Sequence, residues 1–243
     1  MDSLKKSLIW FFMILLCGLP FSFLAFGSDI QTQHNPLYPY RSSMMLQEDF
    51  ITGSTGSGAI GSLGWISVGT ISVLASEVNR PGIARVDTGS VLGSIGRISY
   101  ANSSAFDQGV NSDILWVARL NTNDANTTVR IGSANSVALS PPNNGIYFEK
   151  LDADTNWFCV TRGSAVQTRT DTGVAVNTSF NTFRMVKNSS GVQFILNNTN
   201  VCTHTTNLPA NLIAAYVFIT NSAAAAKTVD VDYFQHILTG MTR

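Results

Sequence analysis

The chain reads as an all-β sandwich, and its middle third carries the case. Between Gly145 and Thr206 short alternating segments follow one another, GIYFEKL, NWFCVTRG, AVQTRTDTG, SFNTFRMVKN, GVQFILNN and TNVCTHTT. Polar turn residues separate them, and apolar and polar side chains alternate within them, as in strands of an antiparallel meander. Helical periodicity is nearly absent from the rest of the chain. At 243 residues the length suits one substantial β domain and does not require two.

Lys5 and Lys6 precede an apolar run from Leu8 to Phe26, and Ala25-Phe26-Gly27 offers small residues for a signal peptidase. Residues 1–27 therefore read as a signal peptide cleaved after Gly27. An uncleaved anchor is the competing reading, and membrane association is expected only in that case. The expected location is secreted or periplasmic. Residues 28–47 are polar, bear prolines and lack a period, which reads as a linker, so the sandwich is expected over 48–239. Gly53, Gly56, Gly58, Gly61 and Gly64 then lead to Trp65. Neither a strand-to-helix pattern nor a Lys-Ser/Thr pair follows them, so a phosphate loop is excluded and turns ahead of a core tryptophan are expected.

Arg80-Pro81-Gly82 marks the next turn. In SDILWVARLN the side chains of Ile114, Trp116, Ala118 and Leu120 share one face, and Leu115, Val117 and Arg119 the other. Pro141 to Gly145 is a turn before the meander. In the closing TVDVDYFQHIL segment Val229, Val231 and Tyr233 alternate with Asp230, Asp232 and Phe234.

Only 12% of residues are charged, with 15 basic and 15 acidic, and Asn, Thr, Ser and Gly supply the polar surface. Such a neutral surface lacks the basic field that nucleic acid requires, and excludes that partner. Cys159 and Cys202 remain once the leader is removed. They are either a disulfide, which an oxidising compartment permits, or two small buried side chains.

EDFITGSTGSGAIGSLGW, RPGIARVDTG, GIYFEKLDADTNWFCVTRG, RTDTGVAV with FNTFRMVKN, VQFILNNTNV and KTVDVDYF together resemble the concanavalin A-like lectin/glucanase superfamily. The resemblance covers Glu48 to Leu238 and implies a jelly-roll of two packed antiparallel sheets. It also extends to sandwich domains of phage tail or virion proteins and of secreted bacterial proteins. It does not specify a function, because that superfamily holds lectins, glycosidases, lyases and structural modules. The Glu-x-Asp-x-x-Glu pattern of laminarinase-type glycosidases is not matched: Glu149, Asp152 and Asp154 have the wrong order and spacing. No lyase signature or Ser-His-Asp set can be assembled from local motifs either.

Asp152-x-Asp154-x-Asn156 copies the first three ligand positions of a calcium loop, or is an ordinary turn. Calcium is thus the one cofactor to consider. Sugar binding without metal needs an aromatic platform beside hydrogen-bonding groups. Tyr147 and Glu149 on one strand, Trp157 on the next, and the strand-borne Arg119, Arg162 and Arg184 are the candidates, with core packing and solvated sheet faces as the alternatives. The reading is a non-catalytic module that binds a glycan or cell-surface polymer. Its rivals are a structural or adhesive subunit, for which homo-oligomers are expected, and a polysaccharide-cleaving enzyme using Glu149 with a second carboxylate.

Overall fold

The computed structural model describes residues 43–51, 60–100, 111–135, 141–210 and 214–240. The expected signal peptide, most of the expected linker and three of the clustered glycines (Gly53, Gly56 and Gly58) lie outside them. Among the described residues the elements are all strands: β1 (Ser43–Glu48), β2 (Ile66–Val68), β3 (Thr70–Leu74), β4 (Ile83–Asp87), β5 (Ile95–Ser99), β6 (Asn111–Leu120), β7 (Thr127–Ala134) and β8 (Gly145–Lys150). They continue as β9 (Asn156–Gly163), β10 (Val166–Ala175), β11 (Asn181–Asn188), β12 (Gly191–Leu196), β13 (Thr199–His204), β14 (Ala214–Asn221) and β15 (Thr228–Thr239).

They form two antiparallel sheets. An eight-stranded sheet runs β13-β12-β11-β6-β15-β4-β3, with β1 also on β15, and a seven-stranded sheet runs β10-β9-β8-β7-β14-β5-β2. The chain crosses repeatedly between the two, which makes the sandwich a jelly-roll. β6 behaves as its alternation requires: Ile114, Trp116, Ala118 and Leu120 are buried between the sheets, while Leu115, Val117 and Arg119 face outward and are partly exposed. Trp65, Trp116 and Phe234 form the centre of the core, with ring centroids 4.5–5.4 Å apart. The Trp116 indole donates across the core to the Gly132 carbonyl at 3.3 Å, a bond from one sheet to the other.

Two expectations are corrected. The linker was expected to run to residue 47, but Ser43–Glu48 pairs along β15 from Ser43↔Thr239 to Glu48↔Phe234. Leu46 turns into the core, and the buried Glu48 carboxylate accepts from the Phe50 and Leu63 amides and the Ser62 hydroxyl. That carboxylate explains Gly61, whose φ is 68° and whose Cβ would fall 2.5 Å from it. The closing strand changes phase. A register shift between Val231 and Tyr233 makes Asp232 an extra residue, so Phe234, His236 and Leu238 turn inward instead of Tyr233.

Cys159 on β9 and Cys202 on β13 form a disulfide, with Cα atoms 6.5 Å apart. It ties the seven-stranded sheet to the edge of the eight-stranded one.

Candidate functional site

A sheet with one face on the core and one in water should be buried on alternate residues only. β7 and β8 depart from this, being buried at every position, and β14 is buried at all but Thr220. Their inward residues, such as Ile131, Phe148 and Val217, join the main core, while Tyr147, Val160, Tyr216, Phe218 and Ala134 form a second cluster. That cluster lies on the outer face of the seven-stranded sheet.

Cross-strand register builds this face. Phe218, Arg130, Glu149, Phe158 and Asp171 stand in one row, and Tyr216, Gly132, Tyr147, Val160 and Arg169 in the next. Ala134, Gly145, Arg162 and Gln167 continue it. Gly132 leaves the middle of the second row without a side chain. A Cβ there would lie 2.3 Å from the Ile146 carbonyl oxygen and 2.6 Å from the Tyr147 Cα. Across that gap the rings of Tyr147 and Tyr216 meet edge to face, with centroids 6.2 Å apart.

Glu149 is the carboxylate at the centre. Its Oε1 accepts from Arg130 Nε at 3.0 Å and its Oε2 from Arg169 Nε at 2.9 Å. Arg169 also pairs with Asp154 and lies over the Phe158 ring at 3.4 Å. Arg130 sits over Phe218 at 5.4 Å. Arg162 is bonded to neutral oxygens: the Pro142 and Ala165 carbonyls and the Gln167 amide. Burial raises the pKa of both Tyr147 and Tyr216, so these phenols remain protonated donors at neutral pH. The face closes toward β14 and opens toward β10, where Phe158, Arg162 and Arg169 are partly exposed.

The structure divides the sequence candidates. Tyr147, Glu149 and Arg162 share this face. Trp157 does not: it is 1% exposed on the opposite, core side of β9, packed edge-on against Phe183 at 4.8 Å. Arg119 and Arg184 lie on the outer face of the other sheet. There Arg119 pairs with Glu77 and Asp230 at 2.6 and 3.0 Å, and Arg184 with Asp113 at 2.6 Å. Arg130, Phe158, Arg169, Tyr216 and Phe218 were not singled out from sequence. The available signal was the alternation of Tyr216 and Phe218 with Val217 and Ile219, which marks β14 as apolar on both faces.

The side chains of the calcium-like turn have other partners. Asp152 Oδ1 accepts from the Thr128 hydroxyl, Asp154 caps the Leu151 amide and pairs with Arg169, and Asn156 donates to Asp171. The cation held beside this turn is the chain's own: the buried Lys150 ammonium donates to the carbonyls of Asp124, Thr127, Leu151 and Asp152 at 2.8–3.4 Å. Among the described residues no group of three His, Cys, Asp or Glu is placed to hold a metal. No helix among them is long and apolar enough to cross a membrane.

Among the described residues one serine meets a histidine, Ser112 Oγ to His236 Nε2 at 2.7 Å. Both are buried in the sandwich, and burial pushes the His236 pKa down to about 3. Asp113 points to the opposite face, toward Arg184. The pair is a polar contact inside the core.

No family model and no curated protein matches the sequence. Solved structures do. A protein of unknown function from Shewanella oneidensis MR-1 is 15% identical, with a TM-score of 0.63 over 84% of this chain and 90% of that one. The carbohydrate recognition domain of Emp47p is 11% identical, with a TM-score of 0.56 over 82% and 96%. A Bacteroides ovatus mixed linkage glucan GH16 protein, in complex with a product, is 10% identical, with a TM-score of 0.57 over 78% and 98%. At such identities the likeness concerns the path of the chain and leaves the side chains free to differ. The fold of this chain is the concanavalin A-like jelly-roll.

Proposed function

We propose that the protein is a secreted, non-catalytic glycan-binding module whose ligand face is the outer face of the seven-stranded sheet. One observation carries the reading: aromatic and guanidinium side chains are gathered in register there around a carboxylate held from both sides, buried toward β14 and partly exposed at Phe158, Arg162 and Arg169. Aromatic rings suit the apolar faces of a sugar, and guanidinium groups suit its oxygens. Structures of the same fold that bind or process carbohydrate support it at the level of ligand class.

The arrangement disfavours hydrolysis. A glycosidase needs one carboxyl group to give a proton and another to attack or activate water. Glu149 accepts guanidinium hydrogen bonds at both oxygens, and Asp154 shares Arg169 with it. Both are held by guanidinium groups. The signal-like leader and the Cys159–Cys202 bridge both fit an oxidising compartment outside the cytoplasm.

The test is a glycan array probed with the purified protein, followed by an assay for released reducing ends on every hit. Saturable binding without release is the expected result. Release of reducing ends would move the reading to a hydrolase, and silence from a folded protein would end the glycan reading. A second reading rests on the other sheet, whose outer face carries the partly exposed Leu115, Val117, Val186, Ile195 and Ile237. A structural or adhesive subunit would use that face for protein contacts, and sedimentation as an oligomer would favour it.

A further inference from the structure

Two side chains of the proposed ligand face are built in a way that core packing does not explain. The hydroxyls of Tyr147 and Tyr216 are buried and have no hydrogen-bond partner among the described residues. An unsatisfied buried hydroxyl costs stability, and phenylalanine fills the same space without that cost. The chain uses phenylalanine beside them, at Phe218 and Phe158. Two phenols face one another across Gly132 with donors that no described residue takes up.

The charges nearby indicate what kind of acceptor these donors suit. Arg97, Arg130, Arg162 and Arg169 stand on this face with Glu149, Asp154 and Asp171. Glu149 and Asp154 are taken up by Arg130 and Arg169, and Asp171 accepts from Asn156. Arg162, whose partners are neutral oxygens, keeps a positive charge that no carboxylate offsets among the bonds it makes. It lies on the open, β10 side of the phenols. A guanidinium without a carboxylate partner beside two hydroxyl donors is the combination that makes charge-assisted hydrogen bonds to an anion.

We infer that the site selects an acidic sugar, one whose anionic group is received by the Tyr147 and Tyr216 hydroxyls beside Arg162. This rests on the glycan-binding reading of the same face. Carboxylate and sulfate ester share the needed chemistry, and the experiment separates them.

Calorimetry on the full chain would compare four versions of one oligosaccharide: the neutral parent, the uronate, the methyl ester of that uronate and the sulfated form. The uronate or the sulfated form should bind roughly tenfold or more tighter than the parent, and the methyl ester should return to the parent's affinity. In Tyr147→Phe and Tyr216→Phe the acidic-to-neutral affinity ratio should fall to near one, with a melting temperature no lower than that of the native chain. Preference for the uronate over the sulfated form assigns the group as a carboxylate, and the reverse as a sulfate ester. Equal affinity for neutral and acidic sugars overturns the inference and leaves the glycan reading standing. An acidic preference that survives both tyrosine variants also overturns it, and shows the phenols to be structural. Failure of every sugar to bind the folded protein overturns both.

Discussion

At the scale of single residues, the buried charges separate structural from functional roles. Glu149 is 2% exposed and serves two guanidinium groups, one of them, Arg130, only 4% exposed. Glu149→Gln removes the negative charge that both share, and we expect a loss of about 3 kcal/mol of stability. A urea unfolding midpoint unchanged by that substitution would show that the pair does not hold the face together. His236 makes an opposite kind of statement. Its imidazole titrates near 6.5 when unfolded and near 3 when folded, because burial disfavours the cation. Unfolding therefore takes up a proton between those values. The stability is complete above about pH 6.5 and falls as pH drops toward 3, by about 5 kcal/mol in all. Urea melts across that range should slope downward with acid, and the slope should be shallower in His236→Gln. His204 and Asp230, whose folded pKa values are also lowered, leave some slope behind.

At the scale of elements, the disulfide and the strand phases matter most. The Cys159–Cys202 bridge closes a segment with a sequence separation of 43 and joins β9 to the edge strand β13. Loop-closure entropy for such a segment is worth about 4 kcal/mol. Cys159→Ala with Cys202→Ala, or reduction of the native chain, should lower the melting temperature by an amount matching that scale. An unaltered melt would mean that the two sheets hold β13 without it. What the sequence allowed at this scale follows from locality. β6 was legible because Ile114, Trp116, Ala118 and Leu120 carry their own two-residue period. β15 misled because Val229, Val231 and Tyr233 keep that period in sequence while an extra residue at Asp232 breaks it in space. β1 was missed because SMMLQE carries little strand propensity of its own and gains its conformation by pairing with β15.

At the scale of the whole molecule, the site is a product of sheet order, which a sequence does not display. Tyr147 and Glu149 were legible as one face of one strand. Apart from Arg162, their companions were not, since Arg130 reaches them from β7, Arg169 from β10, and Tyr216 and Phe218 from β14 beyond β7. The same order placed Arg119 and Arg184 on the far sheet and turned Trp157 into the core. An aromatic residue in a strand therefore identifies a ligand platform only after the sheets are assembled. The claim most exposed to contradiction is that ligand binds on the seven-stranded side. It is tested by the affinity of a glycan hit for Arg162→Ala compared with Arg184→Ala, the first a partly exposed and the second an exposed arginine on outer sheet faces. Weakening by roughly tenfold or more in Arg162→Ala, with Arg184→Ala bound as tightly as the native chain, is the result expected. Loss of binding in Arg184→Ala alone would put the ligand on the other sheet and contradict the account.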